Sequence, residues 1–170
     1  MANEIHKSAR ISENTDIEVS SRGSKIHIGK NSFVDSYVKM KFAGGTADII
    51  IGDDCYINSG CVLYSGNGIK MGDKVLVASN CTFAAVNHGI YQHSSMLEQD
   101  FMPSKGGIEI KDDVWIGANC VILDGAKITS GCIIAAGSTV RGNLDTPFGI
   151  YAGSPARFIK LRPIKEDTND

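Results

Sequence analysis

The chain lacks what would tie it to a membrane or to nucleic acid. No stretch approaches the roughly 18 apolar residues of a membrane-spanning helix, and Met1 to Arg10 carry polar and charged groups where a secretory leader needs an apolar run. A cytoplasmic protein is the expectation. An excess of either charge is missing too: 17 basic against 19 acidic residues leave a formal net charge of -2, so no bulk attraction draws the chain to nucleic acid or an anionic membrane surface. The five cysteines contain no Cys-x-x-Cys pair, which removes the usual spacing of a zinc or redox site. At 170 residues the chain has the size of one domain.

What it does have is a period. Aliphatic residues stand six apart without interruption at Ile110, Ile116, Ile122, Ile128, Ile134 and Val140. Ile, Val, Leu, Met and Phe make up about 0.3 of the chain, so six hits in a row at a preset spacing have a chance probability of roughly one in a thousand. A helix needs apolar spacings of three and four and a plain strand needs alternation, so period six indicates short parallel strands stacked in a β-solenoid. The spacing recurs upstream in blocks of three: Ile5, Ile11, Ile17; Ile28, Val34, Met40; Ile51, Ile57, Leu63; and Met71, Val77, Phe83. Three six-residue sides per turn give six triangular coils from Ile5 to Val140, spaced about 4.8 Å like neighbouring strands. Small residues follow four after most of these aliphatics: Ala9, Thr15, Ser21, Ser32, Cys55, Cys61, Cys81, Cys120, Ala126, Cys132 and Ser138. All five cysteines are among them, as small packed hydrophobes in a reduced compartment.

The register slips after Ile17, Met40, Leu63 and Phe83, each time after the third aliphatic of a block. In a three-sided solenoid every insertion then falls on one edge, where repeat proteins gather their binding loops. The largest excursion, from about Ala84 to Glu109, mixes His, Glu, Tyr and Lys with turn-forming Gly and Pro. After Val140 the repeat fades, and Pro155 is placed to begin a short helix carrying Arg157, Lys160 and Arg162. The final EDTND reads as a loose tail.

The stretch DDVWIGANCVILDGAKITSGCIIAAGSTV, followed by YAGSPARFIK, resembles the hexapeptide-repeat acyltransferases. With the pair Asn87 and His88 it is similar to the branch holding galactoside, maltose and polysaccharide O-acetyltransferases, over about Ile26 to Leu161. The resemblance implies an all-β fold, a left-handed parallel β-helix of hexapeptide repeats, assembled as a homotrimer with acetyl-CoA in the groove between two subunits. Handedness comes from the resemblance alone, because chain physics favours right-handed crossovers. The implied organisation is a β-helix domain over 1–150 with its loop at about 84–109, then a CoA-contacting segment and tail over 151–170. The implied reaction moves acetyl from acetyl-CoA to a hydroxyl of a sugar or polysaccharide precursor, without a metal.

On this resemblance His88 matches the catalytic histidine. The chemistry needs a group that takes the acceptor hydroxyl's proton and returns it to the departing sulfur, and imidazole does both near neutral pH. Asn58 matches an asparagine that faces the acceptor sugar, and it reads equally as a turn or ladder residue. Glu98, in the EQ pair of the loop, either orients His88, holds a sugar hydroxyl, or is simply a solvated loop carboxylate. Trp115 matches a ring lining the pantetheine and acceptor region, and an outward Trp otherwise suits a subunit interface. Gly117, Ala118, Ala136 and Gly137 match positions whose backbone amides meet the pantetheine arm or polarise the thioester carbonyl, a role that needs small side chains, though Gly and Ala also turn corners. Arg157 and Lys160 match the phosphate-binding end of a G-x-P-A-R motif, and Arg141 stands where several relatives carry a lysine.

Three rival readings remain at this point. One keeps the reaction and makes the acceptor an amino sugar nucleotide, N-acetylated. Another is a zinc carbonic anhydrase on the same fold, since His88 and His93 are five apart, but His6 and His27 lie far upstream and a third ligand is missing. The last is a β-helix without catalysis.

Overall fold

The computed structural model describes residues 2–165; the EDTND segment read as a loose tail lies outside the described residues. Short strands joined by tight turns build a left-handed parallel β-helix with three sheets. The first sheet stacks Ile5, Ile28, Ile51, Met71, Ile110, Ile128 and Leu144 in register. The second stacks Ile11, Val34, Ile57, Val77, Ile116, Ile134 and Tyr151. The third stacks Ile17, Met40, Leu63, Phe83, Ile122 and Val140. Each column is the one the sequence spacing predicts, extended by Leu144 and Tyr151. From Ile28 to Val140 the inward residues are at most 2% exposed, whereas Ile5, in the first of the described coils, is 42% exposed.

The corners explain the period. Three residues after an inward aliphatic the backbone takes a left-handed conformation, at Asn31, Asp54, Asn80, Asp113 and Asn119 and at several glycines. Asn and Asp tolerate that region best among residues with a Cβ. One residue later the small side chains point inward: Ser32, Cys55, Cys61, Cys81, Cys120, Ala126 and Cys132 are wholly buried. Val38, Val75 and Val114 fill the same slot in other coils, and Ser21 is exposed, outside it.

All four register slips lie where the chain passes from the third sheet to the first, here called the loop edge. The edge between the second and third sheets, lined by Ala78, Gly117, Ala118, Ala135 and Ala136, is the small-residue edge.

The short helix expected from Pro155 is instead a strand, Ala156–Leu161, paired antiparallel with Gly149–Gly153 at the end of the second sheet. Gly149–Gly153 would otherwise leave a row of unpaired backbone groups, and the returning strand satisfies them. Tyr151 is buried under Phe158, with ring centroids 5.7 Å apart. Arg162 fastens the end of the hairpin to Asp113 at 2.8 Å and to the Gly131 carbonyl at 3.0 Å.

The outer faces differ. The first sheet carries polar and charged side chains outward through Glu4, His27, Lys70, Glu109 and Lys127. The second presents an apolar stripe, Phe33, Tyr56, Leu76, Trp115, Ile133 and Ile150, in continuous register. Trp115 at its centre is 48% exposed.

Candidate active site

His88 lies four residues beyond the strand Thr82–Ala84, at the root of the long loop. A short antiparallel ribbon holds it there: His88 bridges Phe101, the Gly89 amide donates to the Asp100 carbonyl at 2.9 Å, and the Met102 amide donates to the Asn87 carbonyl at 2.8 Å. The imidazole packs against the Phe101 ring, centroids 4.9 Å apart, and remains exposed on its other side. A cleft of about 370 Å³ opens beside it, walled by Asn87, Ile90, Met96, Met102 and Lys105.

The outer half of the loop is braced by a residue the sequence reading passed over. Gln99 accepts from the Tyr91 amide at 2.7 Å and donates to the carbonyls of Tyr91 at 3.0 Å and Ser94 at 3.3 Å. Its neighbour Glu98 caps the single helical turn Met96–Glu98, accepting from the Ser95 hydroxyl at 2.9 Å and the Ser95 amide at 3.3 Å. The EQ pair is thus a structural signal, with the glutamine crossing the loop and the glutamate closing a turn. His93 stacks on Tyr91 at 5.7 Å, in a separate hollow that Glu98 also lines.

The second group of residues lies on the small-residue edge and the face beside it. Asn58 donates its side-chain amide to the Val77 carbonyl at 2.7 Å, the contact of a ladder residue. A Cβ on Gly117 would come within 2.6 Å of the Ala136 nitrogen, so only glycine permits this coil spacing. The amides of Gly117 and Gly137 are occupied, donating to the carbonyls of Ile134 and Ala118 at 2.8 Å each. Those of Ala118 and Ala136 meet no acceptor among the described residues, which leaves two backbone donors one coil apart at the surface. Arg157 pairs with Ala152 at the end of this column, and Lys160 pairs with Ile150 at the end of the apolar stripe; both side chains are exposed. Arg141 stands apart, exposed on the loop edge just after Val140.

The predicted residues therefore fall into two clusters. His88, Glu98 and Arg141 belong to the loop edge, while Asn58, Gly117, Ala118, Ala136, Gly137 and Arg157 belong to the small-residue edge, with Trp115 and Lys160 on the adjoining face. The third sheet separates the two edges by one side of the prism, roughly 15–20 Å for six residues of extended chain. No single side chain spans that distance. Among the described residues no three His, Cys, Asp or Glu side chains converge as a metal site.

Two family descriptions match: "Bacterial transferase hexapeptide (six repeats)" over residues 107–142 and "Hexapeptide repeat of succinyl-transferase" over residues 48–83. Galactoside O-acetyltransferase of Escherichia coli K12 is 31% identical over 133 residues, 78% of this chain and 62% of that protein. The chain spans less of other relatives, 33% and 28% of two further acetyltransferases. A hexapeptide-repeat-containing acetyltransferase of Vibrio cholerae, solved with acetyl-coenzyme A, superimposes with a TM-score of 0.69 at 31% identity, over 81% of this chain and 72% of that one. An AntD variant, an N-acyltransferase from Bacillus cereus solved with dTDP and coenzyme A, gives a TM-score of 0.78 at 25% identity, over 94% of this chain and 84% of that one.

Proposed function

The chain belongs to the hexapeptide-repeat acyltransferase family, and from that membership we propose that it moves acetyl from acetyl-CoA to a hydroxyl of a sugar or polysaccharide precursor, with His88 as the base. The observation that carries this reading is the division of the site between two edges. An exposed imidazole beside a cleft lies on one, free backbone donors and cations lie on the other, and a neighbouring copy is what brings them together. The apolar stripe centred on Trp115 supplies the surface for such contact, since a monomer rarely leaves a large contiguous apolar patch in water. Three copies close the arrangement with one site at each interface. A cytoplasmic location, where CoA thioesters are made, goes with it.

The residues on the small-residue edge fit the donor. Gly117 and the alanines beside it leave a shallow, unobstructed path for a pantetheine arm, and Arg157 and Lys160 at its end offer cations to CoA phosphates. In the reaction, His88 removes the acceptor hydroxyl's proton as the oxygen attacks the thioester carbonyl. The amide of Ala118 or Ala136 donates to the oxyanion that develops. Collapse breaks the carbon–sulfur bond, and the imidazolium returns its proton to the CoA thiolate.

An amine acceptor would use the same base and donor slot, and the similarity to AntD favours that second reading. Labelled acetyl-CoA offered with panels of hydroxyl and amino sugars, free and nucleotide-linked, separates the two. The expected result is ester formation on a sugar hydroxyl. Amide formation alone would transfer the assignment to N-acetylation, and no acceptor-dependent CoA release from any panel would overturn both.

A further inference from the structure

Asp124 is a carboxylate in the interior of the loop edge, 3% exposed, and the chemistry above does not use it. Its side chain accepts from the Gly107 amide at 3.0 Å through Oδ1, and from the Lys105 amide at 3.0 Å and the Asn67 side-chain amide at 3.2 Å through Oδ2. Its own amide donates to the carbonyl of Ala84 at 2.9 Å. Ala84 is where the long loop leaves the third sheet, and Lys105 and Gly107 are where it returns toward the first. Asn67 belongs to the turn one coil below, whose backbone amide also donates to Ala85 at 2.9 Å. One residue thus grips the departing strand, the returning strand and the turn beneath them.

The site is built for an anion that never leaves. Gly107 is left-handed, and a Cβ there would strike the Gly68 carbonyl oxygen at 2.5 Å, so the returning backbone closes over the carboxylate as only glycine allows. Three donors meet two oxygens, and hydrogen bonds to a charged acceptor are the stronger kind. An amide in place of the carboxylate has one acceptor oxygen and brings an NH₂ against donors it cannot satisfy.

We propose that Asp124 is a positioning residue of the transfer reaction. By fixing both ends of the loop it sets where His88 emerges, four residues from Ala84, and holds Lys105 in the wall of the same cleft. The proposal rests on the reading of His88 as the base. Displacing a reacting group by about 1 Å costs on the order of a hundredfold in rate, so a looser root acts on turnover without touching the donor slot at the other edge.

The test compares the full chain with Asp124→Asn and Asn67→Ala, following amide hydrogen exchange and steady-state kinetics. In Asp124→Asn, exchange across residues 86–107 should quicken roughly tenfold to a hundredfold, as expected when a charged hydrogen bond no longer opposes local opening. The coils over 110–140 should be unaffected, apart from the amides of Asp124 and Gly125, which donate to the carbonyls of Ala84 and Gly107 at the ends of the loop. Turnover should fall about tenfold or more while the KM for acetyl-CoA stays constant. Asn67→Ala, which removes one donor and keeps the carboxylate, should move both readouts the same way by less. Unchanged exchange in the loop would overturn the clamp whatever the reaction proves to be. Faster exchange with unaltered turnover would reduce Asp124 to a stabilising residue and sink the positioning role. Should the unmodified chain transfer acetyl to nothing, the proposed function fails while the exchange data still judge the clamp.

Discussion

His88→Ala should separate catalysis from folding. The ring is exposed and touches the fold chiefly through Phe101 at 4.9 Å, an aromatic contact worth about 0.5–1.5 kcal/mol and least when solvated. No cavity forms on truncation. Each kcal/mol shifts the melting temperature of a domain this size by roughly 2–4 °C, so the loss should stay within a few degrees. Phe83→Ala, five residues earlier, is the contrast. That ring is 0% exposed between Leu63 and Ile122, and its removal should cost about 3–5 kcal/mol, or roughly 6–20 °C by the same scale. In turnover the order reverses. Loss of a general base should lower kcat about a hundredfold or more, read as CoA thiol release at saturating acceptor, with acetyl-CoA affinity unchanged. His93→Ala should be mild, since that ring stacks on Tyr91 in the neighbouring hollow. A kcat for His88→Ala within threefold of the parent, or equal losses from both histidines, would refute the assignment.

Arg157→Ala should raise the KM for acetyl-CoA about fivefold to thirtyfold with little change in kcat, as when uniform binding worth about 1–2 kcal/mol is lost; a shift in the acceptor KM instead would contradict the placement of CoA along the small-residue edge. Alkali should weaken the fold through the stacked thiols. The neighbouring Cys120 thiol lowers the pKa of the Cys81 thiol, but the Cys61 thiol on its other side and burial outweigh that and push it up to about 11. The proton is therefore held more tightly folded than unfolded, so its stabilisation is complete below the unfolded value near 9 and fades as pH rises toward 11. Melting temperatures of the parent and of Cys81→Ala across that window should converge, and parallel curves would show that the thiol does not titrate in this way.

The fold was legible because one physical rule repeats: a side of six residues carries each aliphatic to the next column, three sides return it to its own, and the pairing of Met71 with Ile110 holds across the 39-residue separation that the loop creates. The corner signal was there as well, in Asn31, Asp54, Asn80, Asp113 and Asn119, each three after a column residue. Two things were not legible. The hairpin at Ala156 depends on an open sheet edge that exists only once the coils have stacked. Asp124, next to Gly125, looks in sequence like an ordinary turn pair, and its partners Asn67 and Lys105 are 57 and 19 residues away. The EQ pair draws attention to the carboxylate of Glu98, yet the neutral Gln99 does more to shape the loop, through contacts that span eight residues.

The confinement of all four slips to one edge divides the molecule into a part that can change length and a part that cannot. One residue added within a side, between Ile110 and Ile122 or between Ile128 and Val140, would turn the next aliphatics out of their columns, because strand side chains alternate strictly between faces. At the loop edge, by contrast, the connections already range from the short turn after Leu63 to the long loop after Phe83 with no shift in any column. Chain at the loop edge can therefore be lengthened, shortened or exchanged by whole segments while the small-residue edge keeps its spacing. On the proposed function, recombination within such a scaffold varies the acceptor side and preserves the donor slot.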